Sequence, residues 1–567
     1  MSASLPLAWL SLLLCLAFLL PNHYSPWLSF HQEALAAVAL VPVGVWAACN
    51  LRRVPWLAWL FGALAVTPFV QWALGVIPYL GDALVHALYL AGAVWAMLAG
   101  YAVSQRAKSS AELDELLKPL WLALIAAAIV SVGMAAHQWL DLGISGLFIA
   151  DLPNGGRPFA NLAQPNHLAT LLLLAAVGVW YSWEKRWLST STACLTLAYL
   201  LVGMVLTGSR SVWLAIAWFV PVFTWAKFRC RFRLKLISLV ALVLLFFFLS
   251  YAKPAAEAWL LLADTGAAVE RLGQTQLRIL AWRAFLDAAM LEPWWGYGWG
   301  QIAVAQFRVA HLHPGLTDIF FNTHNVVLDL VIWLGFPIAL LCTLVLCLWV
   351  FNCLSRSREI NVFLPLMAVC IVFGHSMVEF PIAYAYFLVP TGFWIGVVSA
   401  ATEPAAHMQR MKLGGRGRLI FVGVSLATAY MLMVVTKDYL PFEDDWREQQ
   451  FVEARIEGAR TESLVQPRVL DQLQGMMQLQ RFSPLTHSSP ADLHWVQDVA
   501  ERYPYPSFRY KYALLLAMSG RSDAAFMQLL GLCAVFPRVV CEQVKKDWVS
   551  ASMKEALLAT VDLSALP

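Results

Sequence analysis

Charge is scarce in this chain. Asp, Glu, Lys and Arg make up 13% of its 567 residues, against 60% hydrophobic residues, and the mean hydropathy is +0.65. A soluble globular domain carries about 25% charged residues, so the balance excludes that class and points to a membrane protein. The ten cysteines form no CxxC pair and no Cys/His spacing of the zinc-binding kind, which argues against a sulfur-ligated metal. Cys15, Cys49, Cys194, Cys342, Cys347 and Cys370 sit in apolar runs as packing residues; Cys533 and Cys541 lie in the tail, where a disulfide is open. The first apolar run lacks a basic leader and an A-x-A end, so residues 5 to 20 read as a first helix rather than a cleaved signal. There is no P-loop pattern, and the short outer loops lack the paired acids a divalent ion requires. No nucleic-acid partner is expected.

What the chain has in quantity is apolar sequence long enough to cross a bilayer, about 17 to 25 residues per span. Runs near 3–20, 34–50, 54–72, 83–103, 119–136, 167–183, 191–207, 212–226, 236–252, 325–351, 361–378, 385–400 and 419–436 predict about thirteen transmembrane helices and an all-α fold. The 26 Trp and 31 Phe suit helix ends in the interfacial belt. Basic residues fall in every second connection: Arg52 and Arg53; Arg106, Lys108 and Lys118; Lys185 and Arg186; Lys227 to Lys235; Arg356 and Arg358; and Arg410, Lys412, Arg416 and Arg418. The short loops opposite hold only Arg157 and Arg210. The positive-inside rule then puts the N-terminus in the cytoplasm. A long loop, about 253–323, and the tail, 437–567, fall outside, beyond a membrane domain of residues 1–436. Tyr503 to Ala525 reads as a helix, a Gly turn and a second helix, similar to one tetratricopeptide unit. The tail is thus expected to be a small helical soluble domain.

Five polar stretches share the outer face. Asn154 to Ala169 is dense in amides and turn formers ahead of a helix and contains Asn161, Asn166 and His167. Asn166 is placed to cap that helix, whose N–H groups suit an anion; a well-capped turn explains the stretch equally. Arg210, between hydroxyls in Thr207-Gly-Ser-Arg-Ser211, either snorkels to lipid phosphate or holds the phosphate of a lipid-linked substrate. In the long loop Arg278 and Trp282 are four apart, Arg283 follows, and Pro293 to Gly300 mixes Gly with Trp and Tyr. That mixture fits close backbone approach or sugar stacking, and fits an interfacial belt as well. Thr323-His-Asn325 opens a helix at the membrane boundary, where His324 is placed as a base able to take a hydroxyl proton near neutral pH. His311 and His313 compete for the role. His375, Glu379 and Tyr386 complete the set.

In this order the motifs resemble the O-antigen ligase and polymerase superfamily: Phe159 to Ala169, Thr207 to Arg210, Arg278 with Trp282, Pro293 to Gly300, and Thr323-His-Asn325. His375 to Tyr386, the Pro21 to Pro26 loop and the tail most resemble its PglL-type bacterial protein O-oligosaccharyltransferases. The resemblance covers nearly the whole chain; Gln164 departs from it, standing where Asn is expected. It implies en bloc transfer of an oligosaccharide from undecaprenyl pyrophosphate to Ser or Thr hydroxyls of exported proteins, pilin among them, at the periplasmic face of the inner membrane. His324 would be the essential histidine, and Arg210 and Arg278, with Arg283 as a third cation, would handle the carrier phosphates. Asn161, Asn166, His167, Trp282, Asn325, His375, Glu379 and Tyr386 would support the site or bind substrate. The chemistry agrees: an attacking hydroxyl needs a base, and a departing pyrophosphate needs cations. The pyrophosphate link already stores the driving force, so neither ATP nor a metal is expected. Glycan transfer to lipid A core and glycan polymerisation are the near alternatives. A transporter is a distant one, since matching halves are missing.

Overall fold

The computed structural model describes residues 3–143, 146–153, 155–162, 164–260, 262, 267–403, 414–456, 464–485, 489 and 491–567, with backbone alone from 267 to 276. Arg410 and Lys412, Asn154 and the side chain of Gln274 lie outside the described residues. Every regular element described is a helix: α1 (Ser4–Leu19), α2 (Phe30–Asn50), α3 (Trp56–Ala73), α4 (Leu80–Arg106), α5 (Ser110–Trp139), α6 (Pro165–Glu184), α7 (Thr190–Thr207), α8 (Arg210–Lys227), α9 (Leu236–Trp259), α10 (Ala267–Leu291), α11 (Ile302–Val309), α12 (Val326–Arg356), α13 (Ile360–His375), α14 (Ala385–Thr402) and α15 (Gly415–Glu453). The tail adds α16 (Asp471–Arg481), α17 (Asp492–Arg502), α18 (Pro506–Met518), α19 (Ser522–Val535) and α20 (Arg538–Ser552).

Each of the thirteen apolar runs forms a helix, and among the described residues nine of these are long and apolar enough to cross a membrane. The other four differ for identifiable reasons. α1 and α13 have 16 residues each, about 24 Å of helix against a hydrocarbon core of about 30 Å. α6 and α8 have the length, but polar and aromatic side chains dilute their hydropathy. α15 is continuous over 39 residues, about 58 Å, and so outruns any bilayer.

The chain divides into two compact units. The first holds Met1–Ala65, Leu88–Arg271 and Val345–Met433. Its core stacks Trp121 of α5 between Trp394 of α14, 4.3 Å away, and Tyr181 of α6, 5.3 Å away. α4 and α14 pack almost backbone to backbone: a Cβ added to Gly100 would lie 2.0 Å from the Phe393 carbonyl, and one on Gly396 2.0 Å from the Met97 carbonyl. Small residues allow such an approach where lipid gives helices no hydrophobic reason to associate. Several basic connections are tied down by acids: Lys185 pairs with Asp114 at 2.6 Å, and Glu184 accepts the backbone N–H groups of Arg233 and Leu234. On α9, by contrast, Leu244, Phe247 and Phe248 are exposed, the mark of a face that meets lipid rather than water.

The second unit holds Val66–Ala87, Leu272–Leu344 and Val434–Pro567. Ala281, Ala284, Phe285 and Ala288 of α10 pack on α11 and the start of α12. The tail is bound within the same unit. Arg502 makes two bonds to buried Asp82, at 2.6 and 2.9 Å, and Asp471 accepts the N–H groups of Leu80 and Gly81 at the head of α4. The expected hairpin is present as α18 and α19, turned at Gly520 with φ +74°, and Cys533 is joined to Cys541 by a disulfide.

Candidate active site

The anticipated residues fall into two constellations, one in each unit. The first gathers Asn161, Asn166, His167, Arg210, His375, Glu379 and Tyr386. Asn166 is not the cap expected from sequence. α6 begins at Pro165, Gln164 occupies the cap position without a side-chain bond, and Asn166 lies inside the first turn. Its amide is used across the fold instead: Nδ2 donates to Glu379, and Oδ1 accepts from Ser209 Oγ at 2.7 Å. Ser209 continues to Ser211. One turn along α6, Thr170 Oγ1 meets both the Asn166 carbonyl and His375 Nδ1. The sequence-distant stretches 165–170, 207–211 and 375–379 thus form one hydrogen-bonded group. His167 packs edge-on against Tyr384 at 4.6 Å and Phe380 at 5.5 Å, and Tyr386 continues the aromatic cluster to Phe18.

Arg210 is the first residue of α8 and is exposed. Gly208, with φ +57°, ends α7 in a left-handed conformation that glycine adopts without strain. Arg157 reaches the Thr207 carbonyl of the same turn, so a second cation flanks the motif, one the sequence offered only as an isolated charge. Asn161 is 0% exposed: Nδ2 donates to the Leu19 and Phe148 carbonyls, and Oδ1 accepts from Ala150 N. Its amide is fully used in holding the outer loop. Gln138 has the same duty, binding Ala150, Phe159 and Ala160. A lone Gln ending an apolar helix was the only signal for it. Below Arg210, α6 to α9 surround an apolar cavity of about 470 Å³ whose lining includes Val212 and Ala215 of α8.

The second constellation holds Arg278, Trp282, Arg283, His324 and Asn325. His324 has φ +58°, a left-handed geometry uncommon outside glycine, and its neighbours explain how it is held. Trp282 Nε1 donates to the Thr323 carbonyl at 2.8 Å, and Thr323 N donates to buried Asp329 at 2.7 Å. Asn325 caps α12 by accepting from Val327 N and Leu328 N. Phe320 packs edge-on against the His324 ring. Arg278 lies one turn before Trp282 on α10, half-buried, while Arg283 is exposed. Of the competing histidines, His313 is bonded to Asp287 and His311 lines a separate cavity. Among the described residues no group of three or more His, Cys, Asp or Glu is placed to hold a metal.

Pro293 to Gly300 docks on a break in α12. Gly335, φ +77°, interrupts the helix, and the freed groups are taken by Tyr297 N to the Ile332 carbonyl and Phe336 N to the Pro293 carbonyl. A Cβ on Gly335 would lie 2.4 Å from the Trp294 carbonyl. Trp299 stacks on Trp333 at 4.6 Å. Close backbone approach accounts for Gly296, whose added Cβ would lie 2.5 Å from the Ile332 carbonyl, and Gly298 and Gly300 adopt φ +98° and +75° against side chains of Ile77 and His86, while Trp294 and Trp295 remain exposed.

The chain is therefore a many-helix protein with a histidine held by its loop in one unit and an arginine beside a hydroxyl cluster in the other. The chain matches three families in order: "Protein glycosylation ligase" over 158–183, "O-Antigen ligase" over 195–342 and "Virulence factor membrane-bound polymerase, C-terminal" over 364–549. It is 26% identical over 567 residues to a "General O-oligosaccharyltransferase" of Acinetobacter baylyi, covering 98% of this chain and 95% of that one. It is also 26% identical over 505 residues to a "ComP-specific O-oligosaccharyltransferase" of the same organism, covering 88% of each. No solved structure matches it. The chain thus carries O-antigen ligase and protein glycosylation ligase domains and is similar over nearly its whole length to a protein O-oligosaccharyltransferase.

Proposed function

We propose that this enzyme moves an oligosaccharide en bloc from undecaprenyl pyrophosphate to Ser or Thr hydroxyls of exported proteins at the periplasmic face of a bacterial inner membrane. The observation that carries this reading is the likeness, over 98% of the chain, to a general O-oligosaccharyltransferase. The acceptor oxygen attacks the anomeric carbon as its proton passes to His324; the bond from that carbon to the pyrophosphate oxygen breaks, and the carrier leaves with the electron pair. Arg210, Arg278 and Arg283 bind the phosphates, as planar always-charged forks do well, and the polyprenyl chain lies in the apolar cavity beyond Arg210. Asp329 and Trp282 act through the backbone of the His324 loop. Neither ATP nor a metal takes part.

α1, α6, α8 and α13 are taken as further spans, giving thirteen with the N-terminus in the cytoplasm and the hairpin-containing tail in the periplasm. The Cys533–Cys541 disulfide supports that placement, because such bonds persist in oxidising compartments. The test is mass spectrometry of periplasmic proteins from cells with a lipid-linked glycan pathway, carrying wild type or His324→Ala at matched expression. Glycan on Ser or Thr with wild type alone is expected. Glycan on lipid A core with unmodified protein would transfer the assignment to a ligase; equal protein glycosylation in both strains would remove His324 from the reaction.

A further inference from the structure

The second unit contains a cavity of about 160 Å³ between α11 and the tail helices α17, α18 and α19 that none of the chemistry above uses. Its walls include Phe307, Arg308, His311, Glu501, Arg509 and Gln528. Arg509 is 3% exposed. Its guanidinium lies 4.0 Å over the Phe307 ring, Nη1 donates to Gln528 Oε1 at 2.6 Å, and Nε is buried with no hydrogen-bond partner. Burial presses the group down to about 10, with Glu501 opposing the shift and Arg308 adding to it. Among the described residues no carboxylate forms an ion pair with it. A buried guanidinium with an unused donor is costly unless something completes it.

The geometry narrows what that partner is. With Nη1 committed to Gln528, the side of the fork left without a partner is the Nε edge, and a guanidinium edge pairs with a planar carboxylate through parallel bonds. Arg308, exposed, adds positive potential at the cavity wall. Glu501 on the same wall suits a single negative charge better than the double charge of a phosphate monoester. Phe307 supplies an apolar surface for the methylene groups that carry a side-chain carboxylate. We propose that Arg509 and this cavity bind a carboxylate of the acceptor polypeptide, that of an Asp or Glu side chain, a role that rests on a polypeptide being the acceptor.

The experiment uses the full-length detergent-solubilised protein and two fluorescent Ser-containing hexapeptides, one with a single Glu and one with Gln in its place, read by anisotropy. Wild type should prefer the Glu peptide by about tenfold, the factor for one charge-assisted pair. Gln528→Glu places a carboxylate of the chain itself on Arg509; its melting temperature should equal or exceed that of wild type while the preference disappears. Arg509→Lys, which keeps the charge and loses the fork, should lower the preference. Equal affinity for the two peptides, binding of neither, or a preference retained in folded Gln528→Glu overturns the proposal. So does binding of glucuronate without binding of the Glu peptide, which assigns the cavity to an acidic sugar. Glycan transfer to protein by the same wild-type preparation separates the two readings: transfer without Glu preference sinks the pocket alone, and absence of transfer to any polypeptide sinks the function.

Discussion

Asn166 and Glu379 are 213 residues apart and joined by one short hydrogen bond in which the amide donates. Asn166→Asp turns that donor into a second carboxylate while leaving an oxygen for Ser209, whose hydroxyl donates to this side chain. The loss is a charge-assisted bond, about 1.5–3 kcal/mol, plus repulsion between two carboxylates that proton uptake limits. Glu379→Gln alone replaces the carboxylate by an amide whose oxygen still accepts, so its cost should be smaller, about 1 kcal/mol. The double variant reverses the pair: the amide now on α13's side of the bond donates, and the carboxylate now on α6 accepts. A cycle over the four proteins should therefore show a coupling of about 2 kcal/mol in favour of the double variant. In a glycan-transfer assay under kcat/KM conditions the coupling is a factor of about 30, which, after the ~1 kcal/mol cost of Glu379→Gln, reads as about a fivefold rescue relative to Asn166→Asp. Thermal melting should recover in parallel. If the two single losses simply multiply in the double variant, the bond does not join these stretches and the constellation drawn around Asn166 is incorrect.

Three further outcomes are expected. Trp282→Phe removes the 2.8 Å bond to the Thr323 carbonyl and keeps most of the ring; transfer should slow about fivefold, the worth of ~1 kcal/mol, with little change in melting, whereas exposed Arg283→Ala should differ by changing the dependence on donor concentration. Cys541→Ser opens a disulfide of sequence separation 8 and should cost about 2–3 kcal/mol on the loop-entropy estimate; in cells, Cys533 of the wild type should resist maleimide labelling until the protein is reduced. Lys511 donates to the Leu479 and Gln480 carbonyls, and burial lowers it from 10.5 to about 8. Its folded value lies below its unfolded one, so the charged form costs stability below pH 8 and the cost fades toward pH 10.5. The melting temperature should rise across that window in wild type, and by less in Lys511→Met.

The helices were legible because apolar runs separated by basic connections leave few other arrangements, and the α18–Gly520–α19 hairpin could be read from a Gly between two helical patterns. The place of Asn325 at the head of its helix was legible because its bonds are local, to residues two and three positions on. Asn166 looked like the same case and was not, since nothing in Gln164-Pro-Asn166 reveals that Glu379 and Ser209 will take its amide. Gly296 was ambiguous for a related reason: its partner is the break at Gly335, inside what reads as an uninterrupted apolar span. Arg509 carried no signal at all, as one basic residue in a helix of the most charged part of the chain.

The break in α12 has a mechanical consequence. A long apolar helix adjusts to bilayer thickness by tilting, and a rigid rod would carry that tilt into whatever stands at its tip. Here the segment from Val326 to Leu334 is fastened sideways at Ile332, which accepts from Tyr297 N, the following stretch is tied at Phe336 to Pro293, and Gly335 supplies a joint between the two. If His324 is the base, tilting of the stretch beyond Gly335 is expected to be taken up at this joint rather than carried to the Thr323-His-Asn325 loop, so that transfer should depend little on bilayer thickness.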